Sequence, residues 1–308
     1  MPQTSSTPDT YDIIIIGAGI AGMTAAIYAK RAGKSVLILE EKMYGGQIIQ
    51  TTKIANWPGD PGISGVDLSQ KIYHQMNNLG IKFEYDKVLE VKNEDTTKRI
   101  ICEDDEYQAR AIIIAVGSVD RMLGLPREQA LVGRGISYCA TCDGAFYRNK
   151  PVAVIGGGNT ALYDALYLAD IASKVYIVHR RNQFRGDKYL SDLLHTRPNV
   201  EFVMESTPSE ILGDKKVEGL MVENSSGNLQ TLNVAGIFVA IGRTPATAIF
   251  KNLVKLDDAG YIVAGEDCVT SAPGVFVAGD CRTKSVRQLV TAAADGAVAV
   301  SEAVKFLG

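Results

Sequence analysis

The same pattern of strand, glycine-rich turn and helix occurs twice in this 308-residue chain. The first copy leads from the apolar segment 12–16 into the turn 17–22, and the second leads from 152–155 into the turn 156–161. Glycines at this spacing allow the backbone to approach a pyrophosphate closely, at the N-terminus of the following helix. The length is sufficient for two domains. The repeat therefore predicts an α/β fold with two Rossmann-like, three-layer (β/β/α) dinucleotide-binding domains.

The residue that follows the second strand differs between the two copies. Glu40 ends the first copy, where a carboxylate can accept hydrogen bonds from a ribose diol. His179 stands at the equivalent position of the second copy and is followed by Arg180, Arg181 and Arg185. Guanidinium groups bind a 2′-phosphate that a carboxylate would repel, although a solvated loop with scattered charge is the alternative. We expect FAD at the first turn and NADPH at the second.

Two further apolar segments end in glycine and are expected to close the two domains, 111–116 before Gly117 and 236–241 before Gly242. A later strand that ends at Asp280 is expected to return to the first domain, with this carboxylate at the ribityl chain of the flavin. The NADPH domain is thus predicted as an insertion in a discontinuous FAD domain. The predicted organisation is a flexible N-terminus (1–10), an FAD domain (11–119 and 246–308) and an NADPH domain (120–245).

Cys139 and Cys142 lie in the inserted segment, before the second glycine turn. Their spacing allows a small disulfide ring at the start of a helix, a position that favours the reactive thiolate. Half of a zinc site or an inert buried pair is the alternative, but the chain has three histidines and no second Cys-x-x-Cys, so we expect no metal. Asp143 is expected to carry protons for the dithiol, or to cap the helix.

The composition argues against several classes of function. A net charge of −3 gives no sign of binding to nucleic acid or to anionic lipid. The longest uncharged apolar run, 13–29, is broken by glycines and is short for a bilayer span. The N-terminus lacks the pattern of an export signal, and five cysteines do not form a secreted disulfide framework. We expect a cytoplasmic protein that binds neither nucleic acid nor membranes.

Taken in chain order, the motifs resemble those of the bacterial-type, low-molecular-weight thioredoxin reductases, in class II of the flavoprotein pyridine nucleotide-disulfide oxidoreductases. The likeness extends from about Tyr11 to the C-terminus. It implies a homodimeric FAD enzyme that passes electrons from NADPH through the flavin to the cysteine pair and on to thioredoxin. The segments that carry it are Asn56-Trp57-Pro58-Gly59, Cys139-Ala140-Thr141-Cys142-Asp143-Gly144, Gly156-Gly157-Gly158-Asn159-Thr160-Ala161, His179-Arg180-Arg181 with Arg185, and Arg287-Gln288.

The resemblance also implies a role for each residue of the redox centre. Cys142 would be the sulfur beside the flavin, Cys139 the thiol that attacks the partner disulfide, and Asp143 the acid. Arg134 and Phe146 would face thioredoxin. The chain departs from the family pattern at two positions: Ala145 stands where a second phenylalanine is often found, and Val116 replaces a common threonine.

The expected cofactor-binding residues surround the two turns and the strand ends. For FAD they are Gly17, Gly19, Ile20, Ala21, Gly22, Glu40, Glu41, Gly45, Gly46, Gln47, Asn56, Val88, Ala115, Val116, Gly117, Gly279, Asp280, Arg287, Gln288 and Leu289. For NADPH they are Gly156, Gly158, Asn159, Thr160, His179, Arg180, Arg181, Arg185, Ile241 and Gly242.

The order of the motifs constrains the mechanism. The cysteine pair and the second glycine turn belong to the same inserted segment, yet both must reach the flavin. If both approach one face of the flavin, they do so in turn, and we expect a hinge rotation between the half-reactions.

Other functions stay open on the sequence alone. The same fold can serve a ferredoxin-dependent reductase or a small-molecule dithiol oxidase, which the retained arginines and second glycine turn disfavour. It can also serve a peroxiredoxin-type reductase, which nothing in the cysteine motif distinguishes. A non-catalytic flavin-binding module is disfavoured by the intact cysteine pair with Asp143.

Overall fold

The computed structural model describes residues 10–308 apart from Thr52, Ala55, Asp95 and the side chain of Gln50. Nearly all of the segment 1–10 that the sequence predicts to be flexible therefore lies outside the described residues. Thr10 was assigned to that segment, but it begins the first strand, because its backbone pairs with the strand that contains Gln108.

The strands of the described residues are, in chain order, β1 (Thr10–Ile16), β2 (Val36–Glu40), β3 (Lys82–Tyr85), β4 (Val88–Asn93), β5 (Lys98–Cys102), β6 (Glu106–Ile114), β7 (Ser118–Asp120), β8 (Ile136–Ser137), β9 (Pro151–Ile155), β10 (Lys174–His179), β11 (Val200–Met204), β12 (Ser206–Leu212), β13 (Gly219–Asn224), β14 (Leu229–Leu232), β15 (Gly236–Val239), β16 (Arg243–Pro245) and β17 (Val275–Val277). The helices are α1 (Ile20–Arg31), α2 (Gly65–Asn78), α3 (Glu128–Leu131), α4 (Ala140–Asp143), α5 (Asn159–Ala169), α6 (Lys188–His195) and α7 (Leu289–Leu307). Short 3-10 helices span Gly46–Gln50, Gly144–Tyr147, Ala248–Phe250 and Gly279–Cys281.

The chain forms two compact units, with the second inserted in the first. The first unit contains the described residues up to Val119 together with Thr244–Gly308, and the second contains Asp120–Arg243. Thr244 and Pro245, which the sequence assigns to the inserted domain, cluster with the first unit instead. Each unit is built around a parallel sheet, so the predicted fold class, α/β with one Rossmann-like unit inserted in another, is confirmed.

The first unit has three layers around a sheet with the order β3-β2-β1-β6-β5-β4. Strands β3, β2, β1 and β6 run parallel, β5 and β4 continue as an antiparallel meander, and β17 pairs in parallel with the last residues of β6. Ile13 and Ile15 face α1 and α7, whereas Ile14 and Ile16 face the meander. An uninterrupted apolar strand is what a sheet buried on both faces requires.

Helices α1 and α7 pack closely at a small residue. A Cβ atom added at Gly296 would lie 2.3 Å from the carbonyl oxygen of Ala21, so no larger residue fits there. This contact places the middle of α7 against the first turn of α1.

The second unit repeats the same plan. Its parallel sheet has the order β11-β10-β9-β15-β8, and a separate antiparallel sheet contains β12, β13 and β14. Helices α5 and α6 pack on one face of the parallel sheet, and residues of the antiparallel sheet pack on the other. The repeat seen in the sequence is therefore a repeat of three-layer architecture.

Several elements end earlier than the sequence predicts. Strand β6 ends at Ile114 rather than at residue 116, and β15 ends at Val239 rather than at residue 241. Gly117 and Gly242 follow with φ angles of +67° and +110°, so the backbone turns out of each sheet there. In the described part of the chain, no helix combines the length and apolar character needed to cross a bilayer.

Candidate active site

The first glycine turn is open to solvent in front of α1. Gly17 has a φ of +105°, and a Cβ atom there would lie 2.5 Å from the carbonyl oxygen of Ala115. A Cβ atom at Gly19, in contrast, would meet nothing within 4 Å. Gly19 precedes α1 and no side chain caps the first turn of this helix. The turn fits an anionic group such as a pyrophosphate.

Residues from distant parts of the chain converge on this turn. The backbone N–H of Gly45 donates to the carbonyl oxygen of Ala18 at 2.7 Å, and a Cβ atom at Gly46 would lie 3.3 Å from the Cα atom of Gly19. On the other side, a Cβ atom at Gly279 would lie 2.9 Å from the Cβ atom of Ala21. These segments follow parallel strands, so they meet at the carboxyl edge of the sheet, where open α/β sheets bind ligands.

Glu40 lies at this edge but is already engaged with the backbone. Its Oε2 accepts from the N–H of Ala18 at 2.7 Å, and its Oε1 accepts from the N–H of Lys42 at 2.9 Å. A carboxylate accepts about four hydrogen bonds in total, so acceptor capacity for a ribose diol remains. Val88 is placed differently, because its side chain packs in the core on the face of the sheet opposite α1.

A second group of predicted FAD-binding residues meets at the start of α7. Asn56 Nδ2 donates to Gln288 Oε1 at 3.0 Å, and Gln288 forms a capping box with Thr291 at the N-terminus of this helix. The Arg287 guanidinium lies 4.2 Å from the centre of the Tyr261 ring. Among the described residues, the buried Nε of Arg287 has no hydrogen-bond partner. A polar ligand with acceptor atoms, as in a flavin, fits this donor.

The second glycine turn has the geometry of the first. Gly156 has a φ of +152°, and a Cβ atom there would lie 2.4 Å from the carbonyl oxygen of Ala240. A Cβ atom at Gly158 would meet nothing within 4 Å, and Gly158 precedes α5 as Gly19 precedes α1. This turn also fits a pyrophosphate.

The basic loop predicted to bind the 2′-phosphate is attached to this turn. The N–H groups of Arg185 and Gly186 both donate to the carbonyl oxygen of Gly157, at 2.7 and 3.1 Å. Arg180, Arg181 and Arg185 are exposed, and within the described residues their guanidinium groups form no ion pair. Three solvent-facing cations beside an open turn favour a ligand with an additional anionic group.

His179 lies beneath this loop rather than on its surface. Its side chain is 6% exposed, its ring fills the space next to Gly157, and its Nε2 is 3.1 Å from the carbonyl oxygen of Gln183. Burial, together with the neighbouring arginines, lowers the pKa of the imidazole. His179 therefore supports the turn and the loop from below.

Asn159 and Thr160 begin α5, directly after the turn. The Asn159 amide pairs with Asp187: Nδ2 donates to the carboxylate at 3.1 Å, and Oδ1 accepts from the backbone N–H at 2.7 Å. Ile241 and Gly242 follow the end of β15. All of these residues belong to the second unit.

The cysteine pair forms a disulfide in the second unit. Cys139 and Cys142 are joined across α4, with their Cα atoms 5.3 Å apart, and the N–H of Cys142 donates to Cys139 Sγ at 3.2 Å. Both residues are half-buried. Cys102, Cys268 and Cys281 are buried as free thiols, and burial raises the pKa of Cys281 to about 12, so it is not a reactive thiolate.

Asp143 is held beside this disulfide by a residue that the sequence analysis missed. Ser137, at the end of β8, donates from Oγ to Asp143 Oδ2 at 2.6 Å and accepts from the N–H of Cys139 at 3.1 Å. Burial raises the pKa of the Asp143 carboxyl, and the bond from Ser137 works against that rise. Burial and the charge of Asp143 raise the pKa of Tyr147 to about 12. The carboxyl group is thus suited to hold a proton near sulfur.

The fold and the site together define a class of protein: an oxidoreductase with two Rossmann-like units and a redox-active disulfide in the second unit. The chain matches the family described as pyridine nucleotide-disulphide oxidoreductase over residues 11–296, and it belongs to that family. It is similar to the thioredoxin reductase of Listeria monocytogenes, with 44% identity over 98% of this chain and 96% of the relative.

The chain is also similar in structure to solved thioredoxin reductases. The crystal structure of thioredoxin reductase from Streptococcus pyogenes is 40% identical, covers 97% of this chain and 98% of its own, and superposes with a TM-score of 0.92. A ferredoxin-flavin thioredoxin reductase from Clostridium acetobutylicum is 33% identical, covers 96% and 97%, and has a TM-score of 0.52.

Proposed function

We propose that this chain is an NADPH-dependent thioredoxin-disulfide reductase, which passes electrons from NADPH through FAD to the Cys139–Cys142 disulfide and then to oxidised thioredoxin. The observation that carries the proposal is the disulfide next to a half-buried carboxyl group, Asp143, in the unit that also carries a glycine turn with unpaired arginines. Membership of the pyridine nucleotide-disulphide oxidoreductase family supports it.

Two observations support the assignment of the two cofactors. Glu40 at the first turn suits a ribose and repels a phosphate, whereas Arg180, Arg181 and Arg185 at the second turn suit the 2′-phosphate of NADPH. The unpaired Arg287 Nε supports a flavin at the first turn. FAD supplies the two-electron chemistry between nicotinamide and disulfide.

The chain's own residues perform the proton and sulfur chemistry. When the disulfide accepts two electrons, two thiols form and two protons are consumed, and Asp143 is placed to deliver one of them. Cys139 then attacks one sulfur of the disulfide in thioredoxin, and a mixed disulfide forms as the other sulfur leaves. Cys142 attacks Cys139, which closes the ring again and releases the reduced client.

The disulfide and the second glycine turn belong to one unit, whereas the first turn belongs to the other. The proposal therefore includes a rotation of the second unit between the two half-reactions, so that nicotinamide and disulfide reach the flavin in turn. It also includes a homodimer in the cytoplasm, which rests on the likeness to thioredoxin reductases.

The test uses purified protein with and without Cys142→Ser. The wild-type protein is expected to be yellow, to bleach anaerobically with NADPH and to reduce thioredoxin. The Cys142→Ser variant is expected to bleach but not to reduce thioredoxin. Cys281→Ser, which changes a buried thiol outside the pair, is the matched control. Turnover of thioredoxin by Cys142→Ser at the wild-type rate would refute the proposal.

A ferredoxin donor is the second candidate because of the similarity to the Clostridium acetobutylicum structure. The exposed arginines beside an open second turn argue against it, since a ferredoxin-dependent enzyme does not need a 2′-phosphate site. Anaerobic reduction by NADPH alone distinguishes the two donors. Failure of NADPH to bleach the flavin, with bleaching by reduced ferredoxin, would favour the second candidate.

A further inference from the structure

A buried group of charged side chains contacts the turn that carries Asp280. Asp295 Oδ2, from α7, accepts from the backbone N–H of Gly279 at 2.9 Å. The same carboxylate accepts from Arg282 Nε at 3.0 Å and NH2 at 2.9 Å, and from Lys284 Nζ at 2.8 Å. The side chains of Arg282, Lys284 and Asp295 are 1%, 4% and 8% exposed.

This group carries an excess of positive charge. Burial alone would raise the pKa of Asp295, but the hydrogen bonds from Arg282 and Lys284 lower it, so the carboxylate is ionised. One buried carboxylate thus faces two buried cations. Glu266 also contacts Arg282, at 3.2 Å, but its side chain is 91% exposed and is screened by water. The net charge of the three buried side chains Arg282, Lys284 and Asp295 is therefore one positive unit.

Stability of the fold does not require the second cation. A single Arg–Asp pair with two hydrogen bonds already neutralises the carboxylate, and an additional buried ammonium adds a desolvation cost. The excess charge lies in the segment between two predicted flavin contacts, Asp280 and Gln288. The N-terminus of α7 begins at Leu289, and its dipole adds further positive potential there.

We propose that the buried charge of Arg282, Lys284 and Asp295 tunes the flavin, by stabilising its reduced form and so raising its reduction potential. This role rests on the proposed FAD site. Uptake of two electrons and one proton from NADPH adds one negative charge to the flavin, and a fixed positive charge nearby favours that product. Lys284 and Asp295 therefore act on the flavin through their charge, and they are not catalytic residues.

The expected size of the effect follows from Coulomb's law. A unit charge roughly 10 Å from the site of a new negative charge changes its equilibrium by about tenfold at an effective dielectric constant of about 20. For a two-electron couple, a tenfold change corresponds to about 30 mV.

The test measures the equilibrium between the bound flavin and a reference dye of known potential in variants of the full chain. Lys284→Met removes the excess charge and is expected to shift this equilibrium about tenfold toward oxidised flavin, which lowers the potential by about 30 mV. Asp295→Asn doubles the excess charge and is expected to raise the potential. Lys284→Arg retains the charge, and Glu266→Gln changes an exposed partner of Arg282, so both are expected to stay near wild type.

Lys284→Met and Asp295→Asn both disturb the same hydrogen-bonded group, so a structural disruption would shift the flavin potential in the same direction in both. Shifts in opposite directions therefore indicate an effect of charge. Shifts of the same sign, or no shift in Lys284→Met, would overturn the inference. If Asp295→Asn does not fold, the comparison of Lys284→Met with Lys284→Arg still decides. The flavin content of each preparation is measured first: a wild-type protein without flavin would refute the proposed function, whereas flavin with an unchanged potential would refute this inference alone.

Discussion

Replacing Ser137 by alanine tests whether Asp143 supplies a proton to the redox centre. Ser137 donates a hydrogen bond of 2.6 Å to the carboxylate, and this bond lowers the pKa of Asp143 against the effect of burial. In Ser137→Ala the carboxylate loses this stabilisation, so the pKa of Asp143 rises further. A hydrogen bond to a charged group contributes roughly 1.5–3 kcal/mol, or a factor of about 10 to 100 in the ionisation equilibrium.

The sign of the effect on activity follows from the role of an acid. Asp143 delivers a proton only while it is protonated, so a higher pKa extends proton delivery to higher pH. We expect the alkaline limb of the pH profile for disulfide reduction to move to higher pH in Ser137→Ala. The assay mixes the oxidised enzyme anaerobically with NADPH across a range of pH and follows, in a single turnover, the reduction of the Cys139–Cys142 disulfide to the dithiol.

Ser209→Ala is the matched control, because Ser209 in β12 donates its hydroxyl to the carbonyl oxygen of Met221 at 3.2 Å and is not bonded to Asp143. Its profile is expected to coincide with that of the wild type. A profile of Ser137→Ala that keeps its position, or moves to lower pH, would show that Asp143 is not the proton donor.

Three further changes are predicted. Arg180→Ala combined with Arg181→Ala is expected to weaken the binding of NADPH by roughly 1.5–3 kcal/mol per lost charged hydrogen bond and to leave the binding of NADH nearly unchanged. The KM of each coenzyme measures this difference. Gly156→Ala places a Cβ atom 2.4 Å from Ala240 O at a φ of +152°, so we expect NADPH binding to be lost with FAD content retained. Asp86→Ala removes a buried carboxylate that accepts three backbone N–H hydrogen bonds. The free energy of unfolding, measured by thermal unfolding, should therefore fall by about 2–3 kcal/mol.

Each of these changes has a control in the same chain. Lys188→Ala removes an exposed cation of α6 that pairs with Asp192, and it should leave the NADPH preference unchanged. Gly133→Ala measures the cost of a positive φ angle alone, since a Cβ atom there would meet nothing within 4 Å and so would not clash. Asp104→Ala changes an exposed carboxylate on the loop that Asp86 holds. Equal losses in a variant and its control would contradict the reasoning for that residue.

The glycine turns could be predicted from the sequence because their requirements are local. Gly17 and Gly156 each combine a positive φ with a close contact to the neighbouring strand, and a strand before and a helix after mark the turn. The arginine loop could be predicted for the same reason, because Arg185 follows the strand by a few residues and its backbone returns to Gly157.

Other features of the site could not be predicted from the sequence, because they depend on hydrogen-bond partners that no sequence motif identifies. Ser137 is one of many serines, and only the fold shows that its hydroxyl holds Asp143. Glu40 was expected at a ribose, but the backbone of the turn also uses its carboxylate. Arg282 pairs with Asp295, which lies 13 positions further along the chain in α7, and no motif in the sequence marks this pair.

The insertion of one unit in the other imposes an order on folding during synthesis. Strand β6 needs β17 as a neighbour, and the thiol of Cys281 bonds to the carbonyl oxygen of Ile114 across 167 positions of sequence. The ribosome makes the whole second unit before β17 and α7 emerge. While the second unit is synthesised and folds, the first unit therefore stays incomplete, with an unpaired sheet edge and an exposed apolar face on α1. Chaperones have their longest opportunity to act on this chain during that interval.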